Sequence, residues 1–96
     1  MPRPPRYAAV ESMRILIIED NRSLVANLFD YFEPRGHKLD AAPDEPTGLH
    51  LATERDHDIV VLDWVLPRMD GAEVLRRLRQ DAQSTVPVIM LTARNE

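Results

Sequence analysis

Two runs of four aliphatic residues, Ile15-Leu16-Ile17-Ile18 and Ile59-Val60-Val61-Leu62, end directly in acid, the first in Glu19-Asp20 and the second in Asp63. A short run without a polar face is expected as a strand covered on both sides, and such strands belong to parallel sheets. Parallel strands finish at the same edge. Three carboxylates far apart along the chain would therefore meet above one rim of the sheet, and a cluster of that kind calls for a cation.

The segments between these runs have helical period. Asn21 or a neighbour can cap a helix beginning near Arg22, in which Leu24, Val25, Leu28, Phe29 and Phe32 make one buried stripe until Pro34 and Gly36 stop it. A weak strand is expected over His37 to Ala41. Asp44 and Pro46 then supply the cap and first turn of a helix carrying Leu49, Leu51 and Ala52, weakened by Gly48. The third strand is expected over His57 to Asp63. After it, Gly71 leads into a helix with Val74, Leu75 and Leu78 inward and Arg76, Arg77 and Arg79 solvated, and Val86 to Leu91 forms a fourth strand. Strand and helix alternate from the start, which argues for an open-sheet α/β fold with right-handed crossovers and helices on both faces.

The chain has 96 residues, enough for one domain, and 44% of them are apolar. Without cysteine it can hold neither a disulfide nor a thiolate metal site, which fits a reducing compartment. Twelve basic side chains against 16 acidic ones leave no electrostatic footprint for nucleic acid. No apolar stretch approaches the roughly 20 residues of a bilayer span, and the proline- and arginine-containing start has no signal-peptide core, so a cytoplasmic location is expected. Residues 1–12 are expected as a disordered lead and residues 13–96 as the folded unit.

The segments ILIIED, VVLDWVLPRMDG and VPVIMLTA, in that order, resemble the receiver domains of two-component response regulators, over about Arg14 to Asn95. The resemblance implies a flavodoxin-like sheet of order 2-1-3-4, with the site beyond the carboxyl ends of the first and third strands. It implies that Asp63 accepts a phosphoryl group from a sensor histidine kinase. It also implies that Glu19, Asp20, Asp63 and the backbone carbonyl of Val65 hold Mg2+, and that Thr92 is the switch hydroxyl beside a small Ala93. Phosphoryl transfer brings a charged donor to an anion, so a divalent cation suits the chemistry, and magnesium takes oxygen ligands only. Taken singly, Asp63 is equally compatible with a turn or helix-cap aspartate. Pro67 and Gly71 fit the family's loop after the acceptor, the glycine through an unusual backbone angle or close helix packing. Trp64 reads as core packing next to the site, and His37, His50 and His57 as surface or turn histidines.

Measured against that family, the fifth strand, the last helices and a strand-end lysine have no counterpart, and the only lysine, Lys38, lies near the second strand. The fourth strand is then expected as an apolar edge through which a homodimer forms. The favoured function is a phosphoacceptor module of phosphorelay signalling, regulating transcription through an output domain outside this chain. The alternative is a binding or dimerisation module without phosphorylation. An enzyme with an aspartyl nucleophile, of the haloacid dehalogenase type, is opposed by Val65, where that family needs a second acid. A P-loop or dinucleotide enzyme is opposed by the three scattered glycines, Gly36, Gly48 and Gly71.

Overall fold

The structure, a computed structural model, describes residues 12–66 and 70–91. Four parallel strands, β1 (Arg14–Ile18), β2 (Lys38–Ala42), β3 (Ile59–Asp63) and β4 (Val88–Leu91), form one sheet in the order β2-β1-β3-β4. Helices α1 (Arg22–Phe32), α2 (Glu45–Glu54) and α3 (Gly71–Arg76) fill the connections. The chain steps from β1 to β2 in one direction and from β2 to β3 to β4 in the other. Right-handed crossovers then put α1 on one face and α2 with α3 on the opposite one. The open parallel sheet expected from the alternating pattern is the one found. All but the last residue of the expected lead lie outside the described residues.

The main core lies under α2 and α3. Leu16, Ile18, Val60 and Leu62 of the sheet are fully buried there with Val74 and Leu78, and Leu49, Leu51 and Ala52 pack against them. Each fully buried aliphatic side chain stabilises the fold by about 1.5–3 kcal/mol. Ile15 and Ile17 point to the α1 face and are also buried, so β1 is covered on both sides as its unbroken apolar run requires.

Helix α1 starts where expected, with Asn21 Oδ1 accepting from the Leu24 N–H at 3.1 Å. It stops in a 3-10 turn over Glu33–Arg35, and Gly36 follows at φ +94°, a left-handed conformation that glycine adopts without steric cost. Its apolar stripe departs from expectation: Leu24, Val25, Leu28, Phe29 and Phe32 are all only half-buried. The sheet face they share is only partly covered, and Ile89 on that face of β4 is 48% exposed.

Helix α2 begins at the Asp44 cap, whose Oδ1 accepts from the Thr47 N–H at 2.9 Å, with Pro46 in the first turn. Gly48, which lowers helix propensity, has a packing reason: a Cβ there would meet Ile18 Cδ1 at 2.6 Å. Only a hydrogen lets the helix lie this close to β1.

Several boundaries shift. β3 begins at Ile59 rather than His57: Asp58 is bonded to β1, its Oδ2 accepting from the Arg14 N–H and its own N–H donating to the Arg14 carbonyl at 2.8 Å each, and His57 turns toward β2. β4 begins at Val88, after Pro87, which has no N–H to give a ladder. α3 runs on as a π-helical turn over Arg77–Asp81, unforeseen by the 3.6-residue period, with Leu75 half-buried rather than fully inward. Its arginines are exposed but engaged. Glu73 takes Arg76 and Arg77 at 2.9 Å each, and these hydrogen bonds hold its carboxyl down at about 2. Arg79 Nη1 donates to the carbonyls of Ser84 and Val86 at 3.1 and 2.6 Å.

Of the expectation of a surface or turn histidine, His57 keeps the turn, lying between α2 and β3, but not the surface. Its side chain is 3% exposed, Nε2 lies 2.8 Å from Asp40 Oδ2, and Asp40 Oδ1 accepts from Arg55 Nη1 at 2.8 Å. A buried imidazole needs such a partner. His37 Nδ1 accepts from the Met13 N–H at 3.1 Å, and His50 is exposed beside Glu54.

Candidate functional site

Glu19 and Asp20 follow the last residue of β1, and Asp63 is the last residue of β3. Register settles their meeting. Ile18 pairs with Leu62, so the next residue of each chain stands at the same carboxyl-terminal rim. This is the point where the chain's two crossover directions diverge, the usual place for a ligand crevice in an open α/β sheet. One carboxylate oxygen from each of Glu19, Asp20 and Asp63 lies within 4.8 Å of the others.

The three acids differ in setting. Glu19 is 6% exposed, Asp63 half-buried and Asp20 exposed. Glu19 Oε1 accepts from the Asn21 N–H at 3.0 Å, and the Glu19 N–H donates to the Ala42 carbonyl at 3.0 Å, which fixes the turn leaving β1. Burial pushes the Glu19 carboxyl up to about 7; the Asn21 N–H opposes the shift, and the charge of Asp63 and proton-sharing contacts with Asp20 and Asp63 add to it. Two or three negative groups at this spacing repel unless a proton or a cation sits among them.

The donor set is oxygen only, which suits a hard divalent ion such as magnesium and offers nothing to soft metals. The residues present therefore fit that ion. Val65, whose backbone carbonyl the resemblance adds to the set, directly follows Trp64, and its N–H donates to Asp63 Oδ1 at 3.2 Å, steadying the acid from the loop side. Thr92, Ala93 and Pro67 lie outside the described residues. Lys38, at the first position of β2, sits at the opposite end of the parallel sheet, where it lines a hollow with Arg14, Asp40 and Arg55.

Trp64 corrects the expectation of core packing, being 43% exposed beside the acid. Its backbone is tightly held: the Trp64 N–H donates to the Leu91 carbonyl at 2.9 Å, and its carbonyl accepts from the Gly71 N–H at 2.8 Å. Sequence reasoning gave Asn21 the role of helix cap and missed its N–H on Glu19. It also missed Arg22, which lines an apolar hollow beside Glu19 and Asp20 with Val25 and Ala26. An arginine next to an acidic pair was the available signal. Among the described residues no helix is long and apolar enough to cross a membrane.

The response regulator receiver domain family matches residues 15–96. The chain is 38% identical over 82 residues to the two-component response regulator PhoP of Pseudomonas aeruginosa, covering 85% of this chain and 36% of that protein. It is 44% identical over 84 residues to the transcriptional activator protein IrlR of Burkholderia pseudomallei, covering 88% and 36%. The chain thus spans little more than a third of the length of these relatives. Among solved structures, the N-terminal domain of a response regulator receiver protein from Methanoculleus marisnigri JR1 superposes with a TM-score of 0.82 at 30% identity, over 90% of this chain and 71% of that one. With the sheet order, the clustered acids and these likenesses in agreement, the chain belongs to the response regulator receiver domain family.

Proposed function

We propose that this chain accepts a phosphoryl group on Asp63 from a sensor histidine kinase and that its relay controls transcription in the cytoplasm through an output domain outside these residues. The observation that carries the reading is the meeting of Glu19, Asp20 and Asp63 within 4.8 Å at the rim of β1 and β3, in a chain of the receiver family. The names of its relatives, a two-component response regulator and a transcriptional activator, support the assignment to signalling.

In this reading an Asp63 carboxylate oxygen attacks phosphorus as the bond from phosphorus to the kinase imidazole nitrogen breaks and its electron pair stays on that nitrogen. Glu19, Asp20, Asp63 and the Val65 carbonyl would hold Mg2+, which when bound would offset the charge that donor and acceptor bring together. The Asn21 N–H orients Glu19 and the Val65 N–H orients Asp63, and the family resemblance assigns Thr92 as the switch hydroxyl. Incubation with acetyl phosphate and magnesium is expected to add the mass of one phosphoryl group, and Asp63→Asn to abolish the addition. An unmodified wild-type chain sinks the proposal.

A second reading, a binding or dimerisation module without phosphorylation, draws on β4. Among the described residues no strand pairs with its outer edge, and its sequence from Val88 to Leu91 carries no charge that would discourage strand pairing with a second copy. Association that depends on concentration, without phosphoryl uptake, would favour it.

A further inference from the structure

Gly71 has two possible reasons to be glycine, and the structure separates them. The first, a left-handed backbone, is ruled out, because among the described glycines only Gly36 has positive φ. The reason is space. A Cβ on Gly71 would stand 3.0 Å from the Asp63 carbonyl oxygen, 3.0 Å from Trp64 Cα and 3.3 Å from the Trp64 carbonyl oxygen. All three are backbone atoms: two belong to Trp64, the residue directly after the acid, and the third to the peptide joining the two. The Gly71 N–H also donates to the Trp64 carbonyl at 2.8 Å, so the first residue of α3 is bound to the next peptide along, Trp64–Val65, as well as pressed against the Asp63–Trp64 one. Asp70 Oδ1, accepting from the Glu73 N–H at 2.9 Å, holds the same helix start in place.

We infer that Gly71 is a positioning residue for Asp63: its missing side chain lets α3 seat on the Asp63–Trp64 peptide and fix where the Asp63 carboxylate stands. The inference rests on the reading of Asp63 as phosphoacceptor. A methyl group at position 71 cannot be absorbed by a side-chain rotation, as it could beside a flexible neighbour, so the acceptor's own backbone must give by a few tenths of an ångström. Transfer in line with a leaving group is sensitive to such shifts.

The test compares two glycines that are both tight. Gly48→Ala crowds the Ile18 side chain, Gly71→Ala the acceptor backbone. Each variant is scored by thermal melting and by the initial rate of phosphorylation by acetyl phosphate at saturating magnesium, per folded molecule. Gly71→Ala is expected to lose about tenfold in that rate, while Gly48→Ala melts lower and keeps the wild-type rate. Should Gly71→Ala fail to fold, Asp70→Ala releases the same helix start without added atoms and is expected to show the same kind of rate loss. A wild-type rate in whichever of these two folds overturns the inference alone. A wild-type chain that takes up no phosphoryl group overturns the acceptor reading and this inference with it.

Discussion

The buried imidazole of His57 and the carboxylate of Asp40 are joined at 2.8 Å, tying the segment that leads into β3 to β2 at the end of the sheet away from the acids. The contact holds the Asp40 carboxyl below its usual range, with the His57 hydrogen bond as the main cause, burial opposing it and Arg55 helping. His57 Nδ1 is buried without a hydrogen-bond partner among the described residues, so Nε2 carries the side chain's only polar contact. Asp40→Ala strands the ring and is expected to cost about 1–3 kcal/mol. A carboxyl whose folded pKa is depressed contributes stability above its unfolded pKa and loses it as pH falls through the folded one. Urea unfolding should therefore show the gap between wild type and Asp40→Ala narrowing below the ordinary aspartate range. A gap that stays constant into strong acid counts against the contact.

Glu19 titrates in the opposite sense. Its carboxyl is raised from 4.5 to about 7, so the folded chain binds the extra proton and cation-free stability falls as pH rises between those values. The fall amounts to at most about 3 kcal/mol. Glu19→Gln should flatten that slope and raise the melting temperature at pH 8 in chelator.

On the proposed reading magnesium displaces the Glu19 proton, so its effect should grow with pH. At ten times its dissociation constant it is expected to stabilise the fold by about 1.4 kcal/mol at pH 8, with a weaker effect at pH 5.5 at the same concentration. Asp20→Asn should remove most of this gain. The emission of Trp64, half open to solvent next to the site, offers the parallel titration, and a response intact in Asp20→Asn would show that the ion binds elsewhere.

Gly48→Ala sets two effects against each other. Alanine gains about 1 kcal/mol in helix propensity, but its Cβ meets Ile18 at 2.6, 2.8 and 3.0 Å. Ile18 is fully buried and branched at Cβ, so it has no free rotamer to retreat into. A net loss of about 1–2 kcal/mol is expected, partly recovered when Ile18→Val removes the nearest atom. A double-mutant cycle by chemical denaturation measures that coupling.

Ile89 tests the edge of β4. Ile89→Lys places a charge where the side chain is already 48% exposed, so the monomer should lose less than about 1 kcal/mol. If copies pair through β4, sedimentation of the wild type depends on concentration and that of Ile89→Lys does not.

The sequence by itself determined the elements and the rim. Ile15 to Ile18 and Ile59 to Leu62 have no polar face, which leaves a doubly covered parallel strand as the simplest outcome, and Asn21 and Asp44 announce their helices through side-chain oxygens that reach backbone N–H groups three residues on. Glu19, Asp20 and Asp63 were legible because strand polarity alone puts the ends of parallel strands together. Only the tertiary structure decided what depends on distance through space. It paired His57 with Asp40 across 17 residues, left the α1 stripe and Trp64 half open, and gave Gly48 and Gly71 their reasons in the atoms of Ile18 and of the Asp63–Trp64 backbone. It also set Glu19 apart from Asp20, adjacent in sequence yet buried where its neighbour is exposed. Periodicity reports which face a residue lies on; how near another segment comes to that face, and how much water remains there, is fixed only when the layers pack.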